Sequence, residues 1–159
     1  MRGVFLPKNK TIMKAKRLFL TDLLLLITLI PASVTGFALH WAGHQSDHDL
    51  WHNWAVAHVL STLLLTILVA SHIYGHWGWY KSLFKGGIKN KSRVTIVLSV
   101  LMLIVVITGI IVLFRHDEPN SGLGLWHYVI GIIITVVAIG HFIKRHNIMI
   151  KGLKVNRKR

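Results

Sequence analysis

Four long apolar stretches decide what this chain can become. They run over 18–39, 54–77, 94–114 and 125–143, and the third carries no charged residue at all. Each is close to the roughly 20 residues a helix needs to cross the hydrocarbon of a bilayer. A helix satisfies its own backbone groups in lipid, whereas an isolated sheet leaves them bare, so each stretch is expected to be helical. Composition agrees: 53% of the 159 residues are hydrophobic and only 15% are charged, with a mean hydropathy of +0.55. Neither a water-soluble domain nor a disordered chain looks like this.

The net charge of +14 is segregated. Arg2, Lys8, Lys10, Lys14, Lys16 and Arg17 precede the first stretch. Lys81, Lys85, Lys89, Lys91 and Arg93 lie between the second and third, and seven more basic residues lie from Lys144 to Arg159. Only Arg115 falls on the opposite side, so the positive-inside rule places both termini and the middle loop in the cytoplasm. These clusters flank spans and accompany no aromatic-lined groove, so anionic lipid rather than nucleic acid is their expected partner. The first stretch is too long for the apolar part of a signal peptide and is expected to stay in the protein. The chain therefore divides into a basic tail (1–17), a membrane domain (18–146) and a second basic tail (147–159).

A weak repeat organises the membrane domain. Val34-Thr35-Gly36 near the outer end of the first span is echoed by Ile107-Thr108-Gly109 near the outer end of the third. Each is followed by a polar loop and a histidine-bearing helix. Two such hairpins side by side make an all-α, up-down-up-down transmembrane four-helix bundle, in which the second and fourth helices run parallel.

The chemistry available is that of imidazole. The chain has no cysteine, which excludes disulfides, iron–sulfur clusters and thioether-linked haem, and only five acidic residues against eleven histidines. His58 and His72 lie on the second helix, His127 and His141 on the fourth, and both pairs are fourteen residues apart. Fourteen residues is close to four turns, so each pair shares one helix face at an axial separation of roughly 21 Å. On parallel helices His58 is then level with His127, and His72 with His141. Two facing imidazoles at two depths suit two bis-histidine b haems stacked across the membrane. A histidine inside a span can instead hydrogen-bond a neighbouring helix, but equal spacing on two parallel helices is hard to obtain that way. Small residues beside the histidines, Ser61, Gly131 and Gly140, with Gly36 and Gly109 on the adjacent helices, leave room for a flat macrocycle, although glycine also serves plain helix packing.

These residues resemble the membrane di-haem cytochromes b. The short four-span layout, the Thr-Gly turns, the Leu125-Trp126-His127 opening and the His72-x-x-x-His76-Trp77-x-Trp79 helix end resemble the flavinylation-associated cytochrome domain across most of the chain. The resemblance implies electron transfer across a prokaryotic cytoplasmic membrane, from a cytoplasmic-side or quinol donor to an extracytoplasmic acceptor such as an FMN-binding protein. It also implies a place as a subunit of a redox complex or oligomer. No FMN-attachment sequence is present, so any flavin belongs to a partner.

Other groups compete for roles. His76, one turn beyond His72, and His40 are rival haem ligands; His76 and His146 are otherwise interfacial, beside the aromatic belt of Trp77, Trp79 and Tyr80. His40, His44, His48 and His52 recur every four residues and would form a zinc or copper stripe if helical, but Gly43-His44-Gln45-Ser46-Asp47 reads as a solvated loop. His116 is expected to be exposed. Asp22, the only acid within a span, is expected to pair with Lys81 or Arg145, or to relay protons from a quinol. Pro31 is expected to kink the first helix, with Thr35 covering the lost hydrogen bond. The alternatives to an electron carrier are a histidine-based divalent-metal transporter and a membrane anchor with structural haem. No catalytic nucleophile, phosphate loop or carboxylate pair points to an independent enzyme.

Overall fold

A computed structural model describes residues 8–45, 47–87, 92–115 and 120–157. His116, Asp117, Glu118, Lys89 and Lys91 lie outside the described residues, as does residue 1–7 of the first tail; the side chain of His146 is likewise not described. Among the described residues five helices follow one another: α1 (Lys8–Ala42), α2 (His48–Gly75), α3 (Trp77–Gly86), α4 (Arg93–Arg115) and α5 (Gly122–Arg157). Among the described residues there is no strand. Four segments, Lys16–Ala42, His48–Gly75, Arg93–Arg115 and Gly122–Arg145, are long and apolar enough to cross a membrane. The chain is a multi-pass, all-α membrane protein.

The helices pack as two hairpins, α1 on α2 and α4 on α5, joined where α1 meets α5. Along that joint Ser33 and Thr135 share a hydrogen bond of 3.0 Å, and Phe37 meets Tyr128 edge to face at 5.6 Å. The buried residues among those described are small or slim: Thr28, Ala32, Ala42 and Ile134. Large apolar side chains point outward instead, as lipid-facing residues must, and none of those described is fully buried. The bundle is therefore held by close helix contacts and polar cross-links, with no bulky apolar core of the kind found in water.

Several boundaries differ from the sequence expectation. Helix α1 begins at Lys8, inside the basic tail, and α5 runs on to Arg157 through what reads as a second tail. Charged residues permit helix beyond the bilayer edge as readily as within it. The second span ends at Gly75, not 77: His76 closes α2, its N–H bonding the carbonyls of His72 and Ile73, and Trp77 opens the separate short helix α3. Helix α3 carries the aromatic belt, with Trp77 exposed and the Tyr80 hydroxyl tied to Ser99 of α4 at 2.9 Å.

The connection between α1 and α2 is also shorter than its polar residues suggest. Asp47 caps α2, its carboxylate accepting from the Leu50 N–H at 2.9 Å, which starts the helix at His48. His40 thus ends α1 while His48 and His52 belong to α2, so the four-residue recurrence spans two helices and forms no single stripe. Within α1, the Thr35 hydroxyl bonds the carbonyl of Pro31 itself at 2.7 Å, not the one left without an N–H by the proline.

Candidate functional site

The two parallel spans bring His58 and His127 together across the bundle. Their ring centroids are 6.1 Å apart with planes at 83°. Neither ring is placed by its own helix alone. Each is seated on the partner helix of its hairpin, and the two seats are built alike.

In the first seat, the Nδ1 of His58 is 3.2 Å from the Thr35 hydroxyl, with the Ala32 carbonyl beside it. In the second, the Nδ1 of His127 is 3.0 Å from the Thr108 hydroxyl, with the Val105 carbonyl beside it. A threonine hydroxyl has one proton to give. Thr35 gives its proton to the Pro31 carbonyl at 2.7 Å and Thr108 to the Ile104 carbonyl at 2.9 Å. Each hydroxyl oxygen is then an acceptor, and each imidazole donates its Nδ1–H. The lone pair of both rings is thereby fixed on Nε2, the tautomer a metal ligand needs.

The next residue in each repeat completes the seat. A Cβ built on Gly36 would lie 3.0 Å from the Cε1 of His58, and one on Gly109 would lie 2.9 Å from the Cε1 of His127. Only glycine lets the imidazole edge rest on the helix backbone. The room expected at Gly36 and Gly109 for a macrocycle is thus occupied by the histidine rings themselves. Ser61 is likewise engaged, its one hydroxyl proton facing both the Thr35 oxygen at 3.1 Å and the His58 carbonyl at 3.0 Å. A Cβ on Gly131 or Gly140, by contrast, would meet no atom within 4 Å.

The second pair is built differently. His72 takes its Nδ1 partner from α1, where the Asp22 carboxylate accepts at 2.7 Å. Asp22 is 18% exposed and His72 31%. Asp22 therefore pairs with an imidazole, where net charge had suggested Lys81 or Arg145; α1 and α2 meet in a register that sets the two at one depth. His141 lies within electrostatic reach of both His72 and Asp22, which sets it toward the same end of the bundle. His58 with His127 and His72 with His141 give α2 and α5 the same direction.

The rivals are placed as well. His76 stacks obliquely on His72 at 4.7 Å, and Asp22, His72 and His76 present ligand atoms all within 4.8 Å of one another. Among the described residues this is the one group of three metal-ligating side chains. His40 is held at the α1–α5 joint, stacked 3.9 Å from Tyr128, with its Nδ1 2.8 Å from the Asn120 amide oxygen. His44 packs against His40 at 5.0 Å and His48 against Trp51 at 5.8 Å.

Two imidazoles bound in line to one metal ion through bonds of about 2.0 Å place their ring centres roughly 6 Å apart. The 6.1 Å between His58 and His127 fits that arrangement. An ordinary edge-to-face ring contact has the same spacing, but it asks for no fixed tautomer and no matched pair of Thr-Gly seats. The Nδ1 of His72 is engaged in the same sense, leaving its Nε2 as the donor nitrogen. The donor set thus fits bis-histidine haem at the outer pair, with three of the four histidines held Nδ1-inward.

Sequence reading missed Thr35, Thr108 and the Asp22–His72 bond as parts of a site. The repeated Thr-Gly pair was the signal for the first two. Counting inward from the common basic side, which sets Asp22 and His72 at similar depth, was the signal for the third. No family model, no curated protein and no solved structure matches the chain.

Proposed function

We propose that the protein is a transmembrane electron carrier holding two b haems, one between His58 and His127 and one between His72 and His141. The observation that carries this reading is the pair of matched Thr-Gly seats, which fix two facing imidazoles with both Nε2 atoms as donors. Bis-histidine haem supplies a reversible one-electron couple with no open coordination position. The residues of this chain supply the rest. The histidines bind, Thr35, Thr108 and Asp22 set the tautomers, Gly36 and Gly109 let the rings reach depth, and Gly131 and Gly140 leave helix surface uncovered beside the ligands.

Positive-inside asymmetry sets the His72/His141 site toward the cytoplasm of a prokaryotic cell and the His58/His127 site toward the outside. The donor is a cytoplasmic-side reductant or a quinol. The acceptor is an extracytoplasmic redox partner, with an FMN-binding protein as the specific candidate, and the chain acts as a subunit beside it. Reduced-minus-oxidised absorption spectra of the purified protein test this. Low-spin b-type bands, with a pyridine haemochrome assay giving two haems per chain, are expected; a colourless protein overturns the reading.

A second reading has one observation in its favour. The Asp22, His72 and His76 group can ligate a divalent cation such as zinc. Elemental analysis separates the two readings: a stoichiometric zinc content without iron supports the cation site and removes the haem proposal.

A further inference from the structure

The two sites differ in one respect that the matched spacing of their histidines hides. At the outer site the Nδ1 partners are neutral threonine hydroxyls, one on each side. At the inner site the partner of His72 is the carboxylate of Asp22, on α1. Resting on the haem reading above, we infer that Asp22 is a positioning residue that gives the inner site the lower reduction potential of the two, so that electrons run from the basic side of the membrane to the opposite side.

Two effects act in the same direction. A carboxylate accepting the Nδ1–H of a ligating imidazole raises the basicity of that ligand and strengthens its donation to the metal. Stronger donation favours the oxidised, more positive iron. A negative charge beside the site also favours the form carrying one more positive charge, by simple Coulomb attraction. Asp22 is 18% exposed within the bundle and lies inside a span, so little water or salt weakens that attraction. The opposing charges near this site are Lys144 and Arg145, which lie within electrostatic reach of His141. Both are exposed at the basic edge, where solvent screens them, whereas Asp22 touches its histidine at 2.7 Å. Arg145 acts more strongly than Asp22 on His141, but at His72 the carboxylate is the group in direct contact, and it acts there. The outer seats, built from two nearly identical Thr-Gly repeats, contain no such charge. The equilibrium between the sites then favours the electron on the outer one.

Redox titration of the purified, haem-loaded protein, followed optically, tests this. The wild type should titrate with two separate midpoints. Asp22→Asn keeps an oxygen acceptor for His72 but removes the charge; it should raise the lower midpoint by at least tenfold in the reduction equilibrium, about 59 mV for one electron, and leave the upper one in place. Asp22→Glu should restore the separation. His72→Gln, which removes the inner ligand, should leave a single pigment titrating at the upper wild-type midpoint, a result that does not depend on Asp22→Asn loading its haem. A remaining pigment at the lower midpoint, or an Asp22→Asn protein whose lower midpoint stays put, overturns the inference. A wild type without haem defeats the haem reading itself and is recognisable as such before any titration.

Discussion

The outer and inner histidine sites sit on the same two helices at the same spacing, yet they are assembled by different means. The outer site is symmetric. Its two seats come from a repeated tripeptide, use neutral donors and acceptors, and press each imidazole onto bare glycine backbone. The inner site is lopsided, with a carboxylate on one histidine, a second histidine stacked beside it, and a helix break directly below. Symmetry of ligand spacing therefore does not extend to symmetry of environment. A bundle that repeats its histidines but not their partners would, under the proposed function, hold one kind of group at two depths and tune the two differently.

The largest expected effect tests whether the sites are separable. His58→Ala or His127→Ala should abolish the outer pigment and leave the inner one, halving haem per chain in a pyridine haemochrome assay. His72→Ala or His141→Ala should do the reverse. Loss of all pigment from any single replacement breaks the comparison, since it makes the two sites one cooperative unit.

Next in size is the glycine test, which the inner site cannot mimic. Gly109→Ala places a methyl 2.9 Å from the His127 ring and Gly36→Ala places one 3.0 Å from His58. Overpacking of this kind costs about 1–3 kcal/mol, so both variants should lose outer pigment preferentially and melt at lower temperature. Gly140→Ala meets nothing within 4 Å in the protein and lies beside the other site, so it should leave the outer pigment in place. Equal losses from all three point to general helix-packing glycines and dissolve the distinction between seats and surface.

Much of this contrast was legible in the sequence, and the rest was hidden for a physical reason. Hydropathy located the four spans, because lipid imposes a length and a polarity that hardly any other environment does. The fourteen-residue interval pointed to His58 and His127 as neighbours, because it depends only on helix pitch, and their rings do meet at 6.1 Å. The Thr-Gly repeat was visible too, but its role was not: knowing that Gly36 receives His58 requires knowing which helix faces which. Asp22 misled for the same cause. In sequence its natural partners are cations, whereas the register of α1 against α2 delivers it to His72. Helix ends were least legible, since His76 and Asp47 act through local capping that hydropathy does not register.

A smaller effect is expected from the hydroxyls that hold the outer tautomers. Thr108→Val keeps the shape but removes the acceptor for the His127 Nδ1–H, 3.0 Å away. Losing such a partner typically weakens metal binding about 10- to 100-fold, and the rate of haem transfer to a scavenging apoprotein should rise accordingly. Thr35→Val should cost more, because Ser61 loses its 3.1 Å partner together with His58. An unchanged transfer rate in both removes the hydroxyls from the site.

The smallest effect is expected at His76, and it sharpens the inner site most. His76 is the nearest competitor of His72, 4.7 Å away ring to ring and within 4.8 Å of the same carboxylate. Its backbone, however, is the cap of α2, with φ −102° and ψ 16°, so its side chain leaves from a residue already outside the helix that carries His72. The fourteen-residue match with α5 also belongs to His72 and not to His76. His76→Ala should therefore retain both pigments, with at most a slight change in the inner band. If the inner pigment disappears while His72→Ala keeps it, the ligand is His76, and the Asp22–His72 pair becomes a support one step removed from the metal. If instead the wild type carries zinc that His76→Ala releases, the lopsidedness of the inner site is that of a cation site, and the resemblance between the two ends of the bundle stops at spacing.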